Sequence, residues 1–82
     1  MLVYPNPFGH KVQVKIESET AESARIRILN MAGAVIRQQD EKIRAGENVF
    51  VLKDVSQLPP GIYYLEVIAG DKNFTTKIIK QE

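Results

Sequence analysis

The side chains able to carry chemistry are few and dispersed. His10 is the one histidine, set between a Phe8-Gly9 pair and the first alternating stretch. Serines at 18, 23 and 56 fall in polar loops or at a strand start, and none stands in a Gly-x-Ser-x-Gly setting that would lift a nucleophile onto a sharp turn. A serine nucleophile also needs a base held by a third group, and His10 has no such companions nearby in the sequence. Asp40, Glu41, Asp54, Asp71 and Glu82 are scattered through loops and ends. Paired acid–base work requires two carboxyls about 5–10 Å apart across a cleft, which this spacing does not suggest. With one histidine, no cysteine and no EF-hand spacing, neither a metal site nor a cofactor is expected. No glycine-rich phosphate loop is present.

The cations are equally plain. Arg25 and Arg27 point outward from a strand, where Lys11, Lys15 and Arg37 can join them in a basic patch. Single-strand nucleic-acid binders add exposed aromatics for stacking, but the aromatics here fall on apolar faces or beside prolines. A solvated sheet face explains these arginines, and no nucleic-acid partner is expected. Lys77 and Lys80, read from the residues alone, are solubilising charges on a final edge strand. The residues by themselves describe a non-catalytic β module.

A chain of 82 residues makes one small domain. At that size folding buries about 60% of the surface the unfolded chain exposes. Its 44% hydrophobic and 26% charged residues suit a globular fold. The net charge of +1 exerts no long-range pull on nucleic acid or an anionic membrane. No apolar run approaches the ~20 residues needed to cross a bilayer, so direct membrane insertion is not expected. With no charged n-region followed by an apolar h-region, no signal peptide is expected in these residues. Met1 fits either a start codon or a cloning addition to a domain cut from a longer protein.

The elements that must position these residues follow from period-two alternation. After the apolar Leu2, Val3 and Tyr4, prolines at 5 and 7 impose an extended or turned path. Val12, Val14 and Ile16 then alternate with Lys11, Gln13, Lys15 and Glu17, a half-buried antiparallel strand. Residues 18–22 read as a hairpin loop. A second strand carries Ala24, Ile26 and Ile28 inward. Asn30, Met31, Ala32 and Gly33 supply a turn. Ala34, Val35 and Ile36 resume a strand that dissolves into charged residues 37–42, suited to an edge strand or exposed loop. A helix over 36–43 would need denser apolar spacing. Residues 45–48 read as a turn. Val49, Phe50, Val51 and Leu52, apolar throughout, predict a strand covered on both faces or lying near a sheet switch. Gly70 and Asp71 close a last hairpin. Phe74, Thr76 and Ile78 mark the final strand, with Ile79 competing for the inward register.

Leu58, Pro59, Pro60 and Gly61 force a corner, because proline bars a helix and glycine takes backbone angles closed to other residues. Tyr63, Leu65 and Val67 then share one face and Glu66 takes the wet one. A tyrosine just past such a corner is similar to the tyrosine corner of immunoglobulin-like sandwiches, where the hydroxyl bonds back to upstream backbone. About seven short strands, with turn signals every ~8–12 residues, predict an all-β, immunoglobulin-like antiparallel sandwich.

Taken in order, Val3-Tyr4-Pro5-Asn6-Pro7, Asn30-Met31-Ala32-Gly33, Leu58-Pro59-Pro60-Gly61-Ile62-Tyr63 and Lys77-Ile78-Ile79-Lys80 closely resemble the type A C-terminal sorting domain of proteins exported by the bacterial type IX (Por) secretion system. The resemblance covers residues 3–81. Each motif is weak alone; their order within one short domain is specific. The resemblance implies a non-catalytic address label behind an upstream cargo, folded in the periplasm and recognised by an outer-membrane translocon. A sortase-like protease then usually removes the label and joins the cargo to the cell surface. Carried over residue by residue, Pro5, Asn6 and Pro7 match the opening motif, and Gly33 the middle turn. Gly61 and Tyr63 match the Gly-x-Tyr motif, Lys77 and Lys80 the basic terminal one. Two departures stand out: Asn30 where Asp is frequent, and Glu82 after the basic motif. A final strand left at a sheet edge would allow docking by strand addition, or a weak homodimer. Two other readings remain: a fibronectin-III-like or carbohydrate-associated module of a secreted enzyme, and a small hydrolase with a polar cleft.

Overall fold

Val14 and Ile16, then Ala24, Ile26 and Ile28, then Tyr63, Leu65 and Val67 all turn inward and are buried, as alternation along a strand requires. The computed structural model describes residues 1–81. Its seven strands are β1 (Leu2–Tyr4), β2 (Gln13–Ser18), β3 (Glu22–Leu29), β4 (Val35–Ile43), β5 (Gly46–Val51), β6 (Gly61–Ala69) and β7 (Lys72–Lys80). They form a three-stranded sheet in the order β1-β2-β5 and a four-stranded sheet in the order β4-β3-β6-β7. Every strand pairing within the sheets is antiparallel. The fold is the all-β, immunoglobulin-like sandwich that the alternation predicts.

The strand after the proline corner, β6, lies inside the larger sheet between β3 and β7. Its inward Tyr63, Leu65, Val67 and Ala69 meet Val12, Val14 and Ile16 in one core. Gly70, at φ 61°, opens the tight loop of the β6–β7 hairpin. The register of β7 is also settled: Ile78 is fully buried and Ile79 lies outside.

Several expectations are corrected. Residues 18–22 do not close a hairpin, because β2 pairs with β1 and β5 while β3 pairs with β4 and β6. Two amphipathic strands can pair edge to edge or stack face to face. Stacking is what buries both apolar faces at once, and the polar loop serves either. The turn foreseen at 45–48 moves earlier, since β5 already begins at Gly46. Asn48 lies buried in that strand, accepting a hydrogen bond from the Arg44 amide at 3.0 Å and donating to the Arg44 carbonyl at 2.9 Å. A turn-forming side chain thus acts from inside the strand that follows the turn. The charged stretch of residues 37–42 stays extended as edge strand β4. Of the two alternatives for β5, double coverage fails: Val49 and Val51 are 46% and 47% exposed. The sheet switch holds, because the chain changes sheets between β4 and β5.

Candidate functional site

The residues with chemical potential stay apart. His10 is exposed, and Ser18 Oγ donates to its neighbour Thr20's carbonyl at 2.7 Å. Among the described residues no three of His, Cys, Asp and Glu converge as metal ligands. The basic patch does not assemble. Arg25 and Arg27 share the outer face of the larger sheet, Lys15 sits on the other sheet, and Arg37 donates from the flank to the Asp54 carbonyl at 3.0 Å. Arg25 pairs with Asp40 at 3.0 Å, Arg27 Nε donates to Glu66 at 2.7 Å, and Lys15 pairs with Glu47 at 3.1 Å. Hydrogen bonding to Asp40 and its charge raise the pKa of Arg25, and Glu47 does the same for Lys15. These cations are matched where they stand.

The motif residues, by contrast, converge on one pole. Gly61 faces Lys80 and Tyr63 faces Ile78 across the β6–β7 ladder. Tyr63 Oη donates to the Pro59 carbonyl at 2.6 Å. The tyrosine corner is therefore formed, with a buried ring and a satisfied hydroxyl. Gly61 has φ 151° and Gly33 φ 85°, both in the region that favours glycine. The turn holding Gly33 lies just beyond the row in which Leu29 pairs with Tyr64, so it caps the same pole. Asn30 Oδ1 accepts from the Ala32 and Ala34 amides at 2.9 and 3.0 Å. The amide side chain thus fills the turn role of an aspartate.

Residues 5–8 leave β1, in the smaller sheet, and cross to the outer edge of β7, in the larger one. Both proline peptide bonds there, Tyr4-Pro5 and Asn6-Pro7, are cis. Asn6 then acts as a backbone mimic. Its Nδ2 donates to the Lys77 carbonyl at 3.1 Å, and its Oδ1 accepts from the Ile79 amide at 3.0 Å. The Phe8 amide donates to the Ile79 carbonyl at 2.8 Å, and the Gln81 amide donates to Phe8 at 2.7 Å. The Phe8 ring is fully buried beneath this clip. Opening and terminal motifs, more than 70 positions apart, are one hydrogen-bonded unit.

This corrects the strand-addition expectation over its key part. Although β7 is an edge strand, its outward backbone at residues 77–81 is already taken by residues 6–8. Lys80 is no surface charge either: it is only 7% exposed, with Nζ donating to the Gln81 carbonyl at 2.8 Å. Inward parity with Ile78 places it there, and its long apolar stem tolerates the position. Lys77, of opposite parity, is exposed. Sequence reasoning missed Phe8 as a core residue and Asn6 as a clip. An apolar ring directly after a proline pair was the available signal for the first. Nothing local signals the second, because its partners lie at the other end of the chain.

An antiparallel sandwich whose opening and terminal motifs are tied together, with Lys15, Arg25 and Arg27 paired to acids, describes a compact folded module. The particular family follows from comparison: residues 2–81 match the secretion system C-terminal sorting domain, and the chain belongs to that family. It is a type IX secretion sorting domain, a class that marks proteins for export across the outer membrane and is in general non-catalytic. No curated protein and no solved structure matches.

Proposed function

We propose that this domain is a non-catalytic label at the C-terminal end of a larger cargo, read in its folded form by the outer-membrane translocon of the type IX system. The observation that carries the reading is the Asn6 clip: it makes motifs from both ends of the chain a single surface that exists only after folding. The family match over residues 2–81 supports sorting over service as a fibronectin-III-like accessory module. Met1 borders a hollow with Ser18, Ala69 and Phe74, at the pole opposite the motifs. On a molecule 37 Å long, a cargo joined there leaves the motif pole clear. A sortase-like protease then removes the label and joins the cargo to the cell surface. Pro5, Asn6, Pro7, Gly33, Gly61, Tyr63 and Lys80 shape the recognised pole, and Lys77 is its exposed contact.

The test is a fusion of these 82 residues to the C-terminus of a periplasmic reporter, in strains with and without the export machinery. Surface display only in the competent strain is the expected result. Display in both strains, or retention in both, rejects the reading.

A further inference from the structure

Exposed apolar side chains lie on the outer faces of both sheets, and those at the motif pole adjoin one another on the larger one. Ile62 faces Ile79 directly across β6 and β7, and Tyr64 is flanked by Leu29 on one side and Lys77 on the other. Ile62, Tyr64 and Ile79 are 38%, 37% and 37% exposed. Farther along the same face the character changes, to the Arg27–Glu66 and Arg25–Asp40 pairs. The apolar end also abuts the clip, since Asn6 bonds the backbone of Lys77 and Ile79. A flat, contiguous apolar surface beside a folded motif has the form of an interface centre.

Charge selects the occupant. Lys77 makes no ion pair among the described residues, and Glu66, two positions along this face on β6, already holds Arg27. A second copy laid on this patch would bring the same unpaired cation and no acid to meet it. A bilayer is a poor fit, because Ile62, Tyr64 and Ile79 lie half-covered within the sheet and do not project from it as a wedge. We propose that the Ile62, Tyr64, Ile79 and Lys77 surface docks on a protein of the export machinery that presents an apolar patch with a carboxylate opposite Lys77. This rests on the export reading above and names the face and the partner chemistry.

The experiment uses the same reporter fusion in the competent strain, with Lys77→Glu, Lys77→Arg, the pair Tyr64→Ser with Ile79→Ser, and a control, Lys42→Glu, on the remote end of the same face. Thermal unfolding of each purified 82-residue chain confirms folding, and Lys77→Glu keeps the test decisive if the serine pair unfolds. The expected result is at least a tenfold loss of surface display for Lys77→Glu and for the serine pair, with Lys77→Arg and Lys42→Glu within twofold of the parent. Normal display of folded Lys77→Glu and serine-pair fusions overturns the docking face while leaving the export reading intact. Retention of the unsubstituted fusion overturns the export reading, and the docking proposal falls with it. Binding of the parent chain to vesicles of phosphatidylethanolamine and phosphatidylglycerol, or its dimerisation at micromolar concentration, overturns the protein partner if the serine pair abolishes it.

Discussion

The sandwich has two flanks where its sheets could gape, and it closes them by different means. Along β7, residues 6–8 supply backbone and a backbone-mimicking amide, over a fully buried phenylalanine. Along β4, the inward side chains of an edge strand reach across to the other sheet. Gln39 donates to the Val51 carbonyl at 3.3 Å and accepts from the Lys53 amide at 3.0 Å, while Arg37 donates to the Asp54 carbonyl. The first closure belongs to segments remote in sequence and has a hydrophobic anchor. The second is a set of solvent-exposed polar stitches, with a smaller apolar anchor, Ile43, buried at the end of β4. Hydrogen bonds in reach of water contribute modestly, because water replaces a lost partner, whereas a buried ring has no substitute. The β7 flank should therefore be the stronger closure, and the terminal motifs owe their shape to it.

The most direct way to break this contrast is Phe8→Ala. Emptying a fully buried aromatic site costs about 3–5 kcal/mol, a large share of the stability of so small a domain. Urea unfolding should show that loss, and amide exchange should accelerate at residues 77–81. Unchanged protection there would show that the clip does not depend on its anchor. Next in size, Asn6→Ala removes two solvent-exposed hydrogen bonds to β7, for about 1 kcal/mol, and should speed exchange of the Ile79 amide in particular. Gln39→Ala should cost less than about 1 kcal/mol and leave β7 exchange untouched. If Gln39→Ala proves as damaging as Asn6→Ala, the two closures are equivalent and the contrast fails.

The smallest effect is electrostatic. Among the described residues neither flank is closed by an ion pair, so pH should act on the faces. Glu47 raises the pKa of Lys15. A raised folded-state pKa contributes stability that is complete below the ordinary lysine range and fades as pH climbs through the folded value. Comparing thermal unfolding of the parent and Lys15→Gln from pH 8 to pH 11 should show a slight parental advantage that shrinks at the alkaline end. An advantage constant with pH would assign it to packing of the lysine stem.

Residues whose partners are close in sequence were legible in advance. The corner at Pro59 and Pro60 lies four positions from the tyrosine hydroxyl it receives, and the turn at Asn30 bonds within four positions. The inward sets of β2, β3 and β6 follow from alternation alone. Where local cues were silent, expectation went astray at the hairpin at 18–22 and the free edge of β7; Lys80 as a surface charge went against the parity that an inward Ile78 sets.

Alternation, turn residues and motif order determined an all-β sandwich of the sorting-domain family, because period-two burial and proline–glycine geometry act over a few residues. Tertiary structure alone decided which amphipathic strands stack and which pair, since either arrangement satisfies the same local pattern. It also decided that Asn6 closes the edge of β7 and that Lys77, not Lys80, faces outward. The clip depends on backbone groups more than 70 positions away, which no local propensity can register, while the facing of Lys80 depends on which of Ile78 and Ile79 the packed core accepts.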